Sequence, residues 1–162
     1  MKYEERGEDP VALTVKKEVL LDIDGVLHPL GRVAEPGRIV NFQGWQSTYI
    51  PERLDSIVHY MLTRRTKWIS TWENISNEIS KSYNLPSLEY LVLGAYKENA
   101  SWLKESAILD YVNSKKFTKF LIIDDELPED SALRSHGRVK IIVPDGLLGL
   151  SEDEIALIKN FY

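Results

Sequence analysis

Glu18-Val19-Leu20-Leu21-Asp22-Ile23-Asp24-Gly25-Val26 is the stretch on which the fold turns. It starts as a short apolar, β-prone run and ends abruptly at two acids and a glycine. A run bounded in this way reads as a strand of a parallel sheet, buried on both faces. Acids two apart on extended backbone share a face, and Gly25 permits a sharp departure from the strand. Lys119-Phe120-Leu121-Ile122-Ile123-Asp124-Asp125-Glu126 has the same form and is the strongest strand signal in the chain.

Working outward, Lys67–Ser70, Tyr90–Leu93 and Val139–Val143 read as three further strands. Between them lie helical patterns. Pro51 opens a helix over 51–65, with Leu54, Ile57, Val58, Met61 and Leu62 on one face. Residues 73–83 and 101–113 follow, and Ser151 with Glu154 forms a capping box for a last helix. The Gly- and Pro-rich stretch 25–50 is loop, with room for a hairpin around 32–42. Strands alternating with helices predict an α/β fold, a Rossmann-like three-layer α/β/α sandwich around a mainly parallel sheet of about five strands.

A chain of 162 residues fits a single domain, here 11–162 behind a polar tail at 1–10. The absence of cysteine excludes disulfides, thiolate nucleophiles and Cys-ligated metal centres. Three histidines are too sparse for a His-based metal cluster. A net charge of −5 argues against a broad basic surface, so nucleic acid is a partner the charge does not favour. No targeting segment or membrane-spanning run appears, which makes a cytoplasmic location, away from membranes, the expectation.

In an open α/β sheet the ligand crevice lies at the carboxyl ends of the strands. Asp22, Asp24, Asp124 and Asp125 would converge there and repel one another unless a cation sat among them. Oxygen ligands at that density suit a hard ion, and Mg²⁺ combines one or two carboxylates with water and substrate phosphate. Of two carboxylates on one face, one can attack phosphorus while the other acts as general acid and base. A lone Asp-Gly is more simply a turn; two such clusters at the ends of apolar strands are not.

Asp22-Ile23-Asp24-Gly25-Val26 resembles the first motif, DxDGV/T, of the haloacid dehalogenase (HAD)-like phosphohydrolases. The resemblance implies that Asp22 is the nucleophile that forms an aspartyl-phosphate and Asp24 the general acid/base. It also implies that Asp22, the Asp24 carbonyl and a later acid hold Mg²⁺. A calcium-binding EF-hand shares DxDG, but Val26-Leu27-His28-Pro29-Leu30 supplies none of the further ligands that loop needs.

The family's remaining motifs follow in order. Trp68-Ile69-Ser70-Thr71-Trp72-Glu73 ends a strand in a hydroxyl able to bind a phosphoryl oxygen. Ser70 is favoured and Thr71 stays open, although such a pair alone would read as a helix cap. Lys104 fits the lysine that neutralises the transferring phosphoryl group, with Lys97 second. In the Asp124-Asp125 pair, the resemblance gives Asp125 to the metal and Asp124 a supporting role. Glu129 and Asp130 read as a solvated loop. The combination of DIDGVLHP, WISTWEN, FLIIDDE and PDGLLGLS is similar to the small HAD domains associated with Swiss Army Knife RNA-repair proteins, over roughly 19–160. His28 departs from that pattern, where Asn is usual.

The gaps between motifs leave room for a short flap but for no large cap, so an open site is expected, with a phosphorylated substrate, small or macromolecular. Trp45, Tyr49 and Trp72 are aromatic side chains near the mouth that could stack on a base, although covering the core is their simpler use. Arg32, Arg38 and His28 are cations that could hold a second phosphate. His59 and His136 read as surface or structural residues.

Overall fold

The computed structural model describes residues 14–31, 34–42, 44, 46–94 and 102–162. Strand β1 (Lys16–Leu21) carries the opening stretch and pairs in parallel with β4 (Thr66–Trp68) on one side and β5 (Thr118–Ile123) on the other. β6 (Val139–Ile142) extends the sheet beyond β5, also in parallel, giving the order β4-β1-β5-β6. Strand residues alternate between two apolar layers, as the pleat requires. Val19, Leu21, Leu121 and Ile123 face a core shared with α1 (Asp55–Leu62), α2 (Asn77–Ser82) and α4 (Glu152–Phe161). Leu20, Phe120 and Ile122 face the opposite core, closed by Ile108 and Val112 of α3 (Glu105–Ser114). The result is the expected three-layer α/β/α sandwich.

Between β1 and α1 the chain makes an antiparallel hairpin of β2 (Gly37–Phe42) and β3 (Gln46–Pro51), turning around Gly44. Val40, Phe42 and Ile50 bury themselves in the first core, so the hairpin is packed as a flap. Among the described residues nothing larger is inserted, and there is no large cap. No helix among them is long and apolar enough to cross a membrane.

The elements differ from the sequence expectation in three places. The sheet has four strands rather than about five, because Tyr90–Leu93 contributes a single bridge from Tyr90 to Trp68. β4 is three residues long and offers little edge, and Val92 stays 64% exposed, without a layer to cover it. The hairpin lies later than 32–42. Pro36 and Gly37 open it rather than turn it, and the alternating Thr48 and Ile50 supply its second strand. The helices are also shorter than their apolar patterns. Pro51 closes β3, one 3₁₀ turn (Glu52–Leu54) leads into α1, and another (Glu73–Ser76) leads into α2.

The last helix is capped as expected. Ser151 Oγ accepts from Glu154 N–H at 3.3 Å, and Glu154 Oε2 accepts from Ser151 N–H at 2.7 Å. Its neighbours Leu157 and Ile158 face opposite ways, one 57% exposed and the other fully buried. Ile158→Ala should therefore lose about 2–5 kcal/mol in urea unfolding, whereas Leu157→Ala should stay within about 0.5 kcal/mol of wild type. Equal losses would contradict this packing of α4.

Candidate active site

The strand order creates the site. From β1 the chain crosses to β4 on one side, and from β5 it continues to β6 on the other. β1 and β5 therefore flank the topological switch point, where the crevice of an open α/β sheet lies. The ladder runs one residue past both strands, since Asp22 N–H donates to Ile123 C=O at 3.0 Å and Asp124 N–H to Ile142 C=O at 3.2 Å. Asp22 and Asp124 thus leave the sheet side by side.

Lys104, the N-cap residue of α3, reaches between them. Its ammonium lies 2.9 Å from Asp22 Oδ2 and 2.5 Å from Asp124 Oδ2. All three side chains are buried. Asp124 Oδ1 also accepts Glu126 N–H at 2.9 Å, so both of its oxygens are engaged. One ammonium cannot compensate two buried carboxylates fully, and Asp124 holds it more closely. Burial and the neighbouring Asp124 push the Asp22 carboxyl far above the usual carboxylate range. The two carboxylates in turn raise Lys104, against the opposing effect of its burial.

Asp125 is seated by two glycines. A Cβ on Gly25, whose φ is +72°, would lie 2.1 Å from Asp125 Oδ2, and one on Gly146 would lie 2.4 Å from it. Neither position tolerates a side chain while Asp125 keeps its place. Gly25 was legible from its motif; the approach of Gly146 to Asp125 was not, because it joins the loops after β5 and β6. One carboxylate oxygen from each of Asp22, Asp124 and Asp125 lies within 4.8 Å of the others. At the Asp24–His28 bridge, Gly25 N–H donates to His28 C=O and His28 N–H to Ile23 C=O. Among the described residues, the Asp24 carbonyl accepts no hydrogen bond. The three grouped carboxylates are an all-oxygen set that fits a hard divalent cation.

A cavity of about 140 Å³ opens over this cluster, lined by Asp22, Asp24, Leu30, Thr71, Lys104, Asp125 and Glu126. Asp24 is half-buried there, and its Oδ2 accepts the Trp72 indole N–H at 2.9 Å. Ser70 is buried and its Oγ accepts Trp72 N–H at 3.2 Å, whereas Thr71 is exposed and lines the cavity. The structure therefore brings Asp22, Asp24, Thr71, Lys104 and Asp125 to one opening, with Asp124 and Ser70 behind it. Lys97 lies outside the described residues, as do Trp45 and Arg32. Sequence reading missed the Trp72–Asp24 bond, for which the order of residues carries no signal.

Several residues near the mouth are committed to structure. His28 Nδ1 lies 3.1 Å from Tyr49 N and 2.9 Å from Tyr49 O, tying the loop after β1 to the hairpin. The Tyr49 hydroxyl donates to Glu35 C=O, and its ring lies over Gly37. Arg38 stacks on Tyr83 at 4.0 Å and donates to Ser82 C=O at 2.5 Å. These contacts place Tyr49, Arg38 and His28 in the hairpin's packing rather than on a ligand. Glu129, Asp130 and His59 are exposed.

A parallel α/β sheet with acids at its switch point and a short flap after the first strand defines an HAD-like domain. The family model for the HAD domain in Swiss Army Knife RNA repair proteins matches residues 18–155, and the chain belongs to that family. No curated protein and no solved structure matches it.

Burial, together with Asp124 and Glu126, raises the Asp125 carboxyl from its ordinary 3.8 to about 6. A carboxyl raised by folding holds its proton better in the folded chain. It favours folding at low pH, and this contribution is lost as pH climbs through the folded value. In EDTA, Asp125→Asn should therefore gain stability relative to wild type between pH 3.8 and about 6. Urea unfolding midpoints across that window check this, and a constant difference would contradict it.

Proposed function

We propose that this domain is a Mg²⁺-dependent phosphomonoester hydrolase that works through an aspartyl-phosphate on Asp22. The observation that carries the reading is the grouping of Asp22, Asp124 and Asp125, with Lys104 between the first two and Asp24 on the same cavity. A binding module without turnover would have no use for a second carboxylate beside the buried one.

In this mechanism an Asp22 oxygen attacks phosphorus and the bond to the leaving oxygen breaks. That oxygen takes its proton from the Asp24 carboxyl. The Asp24 carboxylate then takes a proton from water as the water attacks phosphorus, which releases inorganic phosphate and restores Asp22. Lys104 offsets the charge of the phosphoryl oxygens, and the Thr71 hydroxyl is placed to bind one of them. Buried Ser70 shapes the turn that presents Thr71. Asp22, Asp125 and the Asp24 carbonyl would hold Mg²⁺, with Asp124 in support. The ion supplies positive charge that keeps Asp22 ionised despite its burial.

The open mouth suits a phosphate on the end of a larger molecule. The family's association with RNA repair proteins favours a terminal nucleic-acid phosphate as a second reading. Asp24, Asp125 and Glu126 on the cavity lining weigh against a long polyanion crossing it.

A screen with Mg²⁺ over small phosphoesters, phosphopeptides and 3′- and 5′-phosphorylated oligonucleotides tests the activity and separates these substrates. On whichever is turned over, Asp22→Asn should abolish hydrolysis and Asp24→Asn should lose about 10²–10⁴-fold. Full activity in Asp22→Asn would contradict the mechanism. By calorimetry, Asp125→Asn should weaken Mg²⁺ binding about tenfold or more, since a directly ligating acid should matter at least as much as its outer partners. Equal affinities would remove Asp125 from the metal site.

A further inference from the structure

Asp24 carries the proton in the proposed reaction, so the orientation of its carboxyl matters as much as its presence. An indole nitrogen only donates, and Trp72 gives its single N–H to Asp24 Oδ2 at 2.9 Å. That bond commits Oδ2 to Trp72 and leaves Oδ1 to exchange a proton with the leaving group.

Trp72 is itself held through its ring and its backbone. Its ring packs against Phe42 of β2, with centroids 5.0 Å apart and planes tilted by 46°. Phe42 is almost fully buried, so this side of the indole rests on the hairpin's packed face. The Trp72 backbone N–H donates to Ser70 Oγ at 3.2 Å. The next residue, Glu73, sits at a φ of +47°, a conformation that side chains rarely adopt and that the surroundings must enforce. The turn after β4 is thus built to bring one indole edge to one carboxylate oxygen. Packing alone would be served by phenylalanine; the N–H is the part that packing does not need.

We infer that Trp72 is a positioning residue for the acid–base step, locking the Asp24 carboxyl with one oxygen toward the cavity and coupling it to the β2–β3 hairpin. This role rests on the phosphatase reading above. It acts on leaving-group departure, because an alkoxide of high pKa needs its proton in the transition state and an aryl oxide of low pKa scarcely does. The effect should therefore depend on the leaving group, which a loss of folding or of general site geometry would not.

Trp72→Phe keeps the ring against Phe42 and removes the donor. With Mg²⁺, kcat/KM should be compared for an alkyl phosphomonoester and p-nitrophenyl phosphate, since that ratio reports the steps up to phosphoryl transfer. The alkyl ester should lose about tenfold or more, and the aryl ester several-fold less. Nitrogen-15 NMR supplies a readout independent of turnover. The Trp72 indole N–H, assigned by its disappearance in Trp72→Phe, should exchange with water more slowly in wild type than in Asp24→Ala. A wild type that turns over neither these esters nor any substrate of the screen above with Mg²⁺ would overturn the phosphatase reading and this role with it. With wild type active, equal losses on both esters, or an indole that exchanges as fast as in Asp24→Ala, would overturn the role of Trp72 alone.

Discussion

The ammonium of Lys104, shared between the buried carboxylates of Asp22 and Asp124, is the interaction on which the rest of the site depends. Two acids side by side at the ends of β1 and β5 would repel across a medium that screens them poorly. Removing one partner from such a buried group leaves charge uncompensated, which is far worse than never having buried it. The lysine permits both acids to stay, yet it does not balance them. The charge left over is the physical reason for expecting a cation at this place.

The rest of the fold delivers these groups. Parallel pairing of β1 with β5 sets Asp22 beside Asp124, and α3 begins where Lys104 can reach both. Gly25 and Gly146 leave a space that the Asp125 carboxylate fills from above. The hairpin closes one flank, tied to the loop after β1 through His28 and Tyr49 and to the turn after β4 through Phe42 and Trp72. The flap is thus part of the scaffold of the site, packed into the same core as α1 and α4.

Much of this was legible in the order of residues. Both acidic strand ends could be read because an apolar run that stops at charges has few explanations, and Lys104 was suggested, ahead of Lys97, by the order of the family's motifs. The capping box at Ser151 was local and needed no tertiary information. What could not be read depended on contacts distant in sequence. The strand expected at Tyr90–Leu93 failed because β4 is too short to pair with it, and the hairpin was shifted because Pro36-Gly37 marks its beginning rather than its turn. The Trp72–Asp24 bond joins residues 48 apart, and the approach of Gly146 to Asp125 joins separate loops.

Covalent phosphorylation of Asp22 is the step from which the rest of the chemistry follows, and the acyl-phosphate bond can be sought itself. Asp24→Asn should slow release of the phosphoryl group, so this variant should be mixed with Mg²⁺ and a turned-over phosphomonoester, quenched in acid, digested and analysed by mass spectrometry. One phosphoryl group should appear on the peptide that contains Asp22, labile to hydroxylamine as an acyl phosphate is, and absent when Asp22 is also replaced by Asn. Turnover with no modified peptide, or with the phosphoryl group on another residue, would contradict phosphorylation of Asp22.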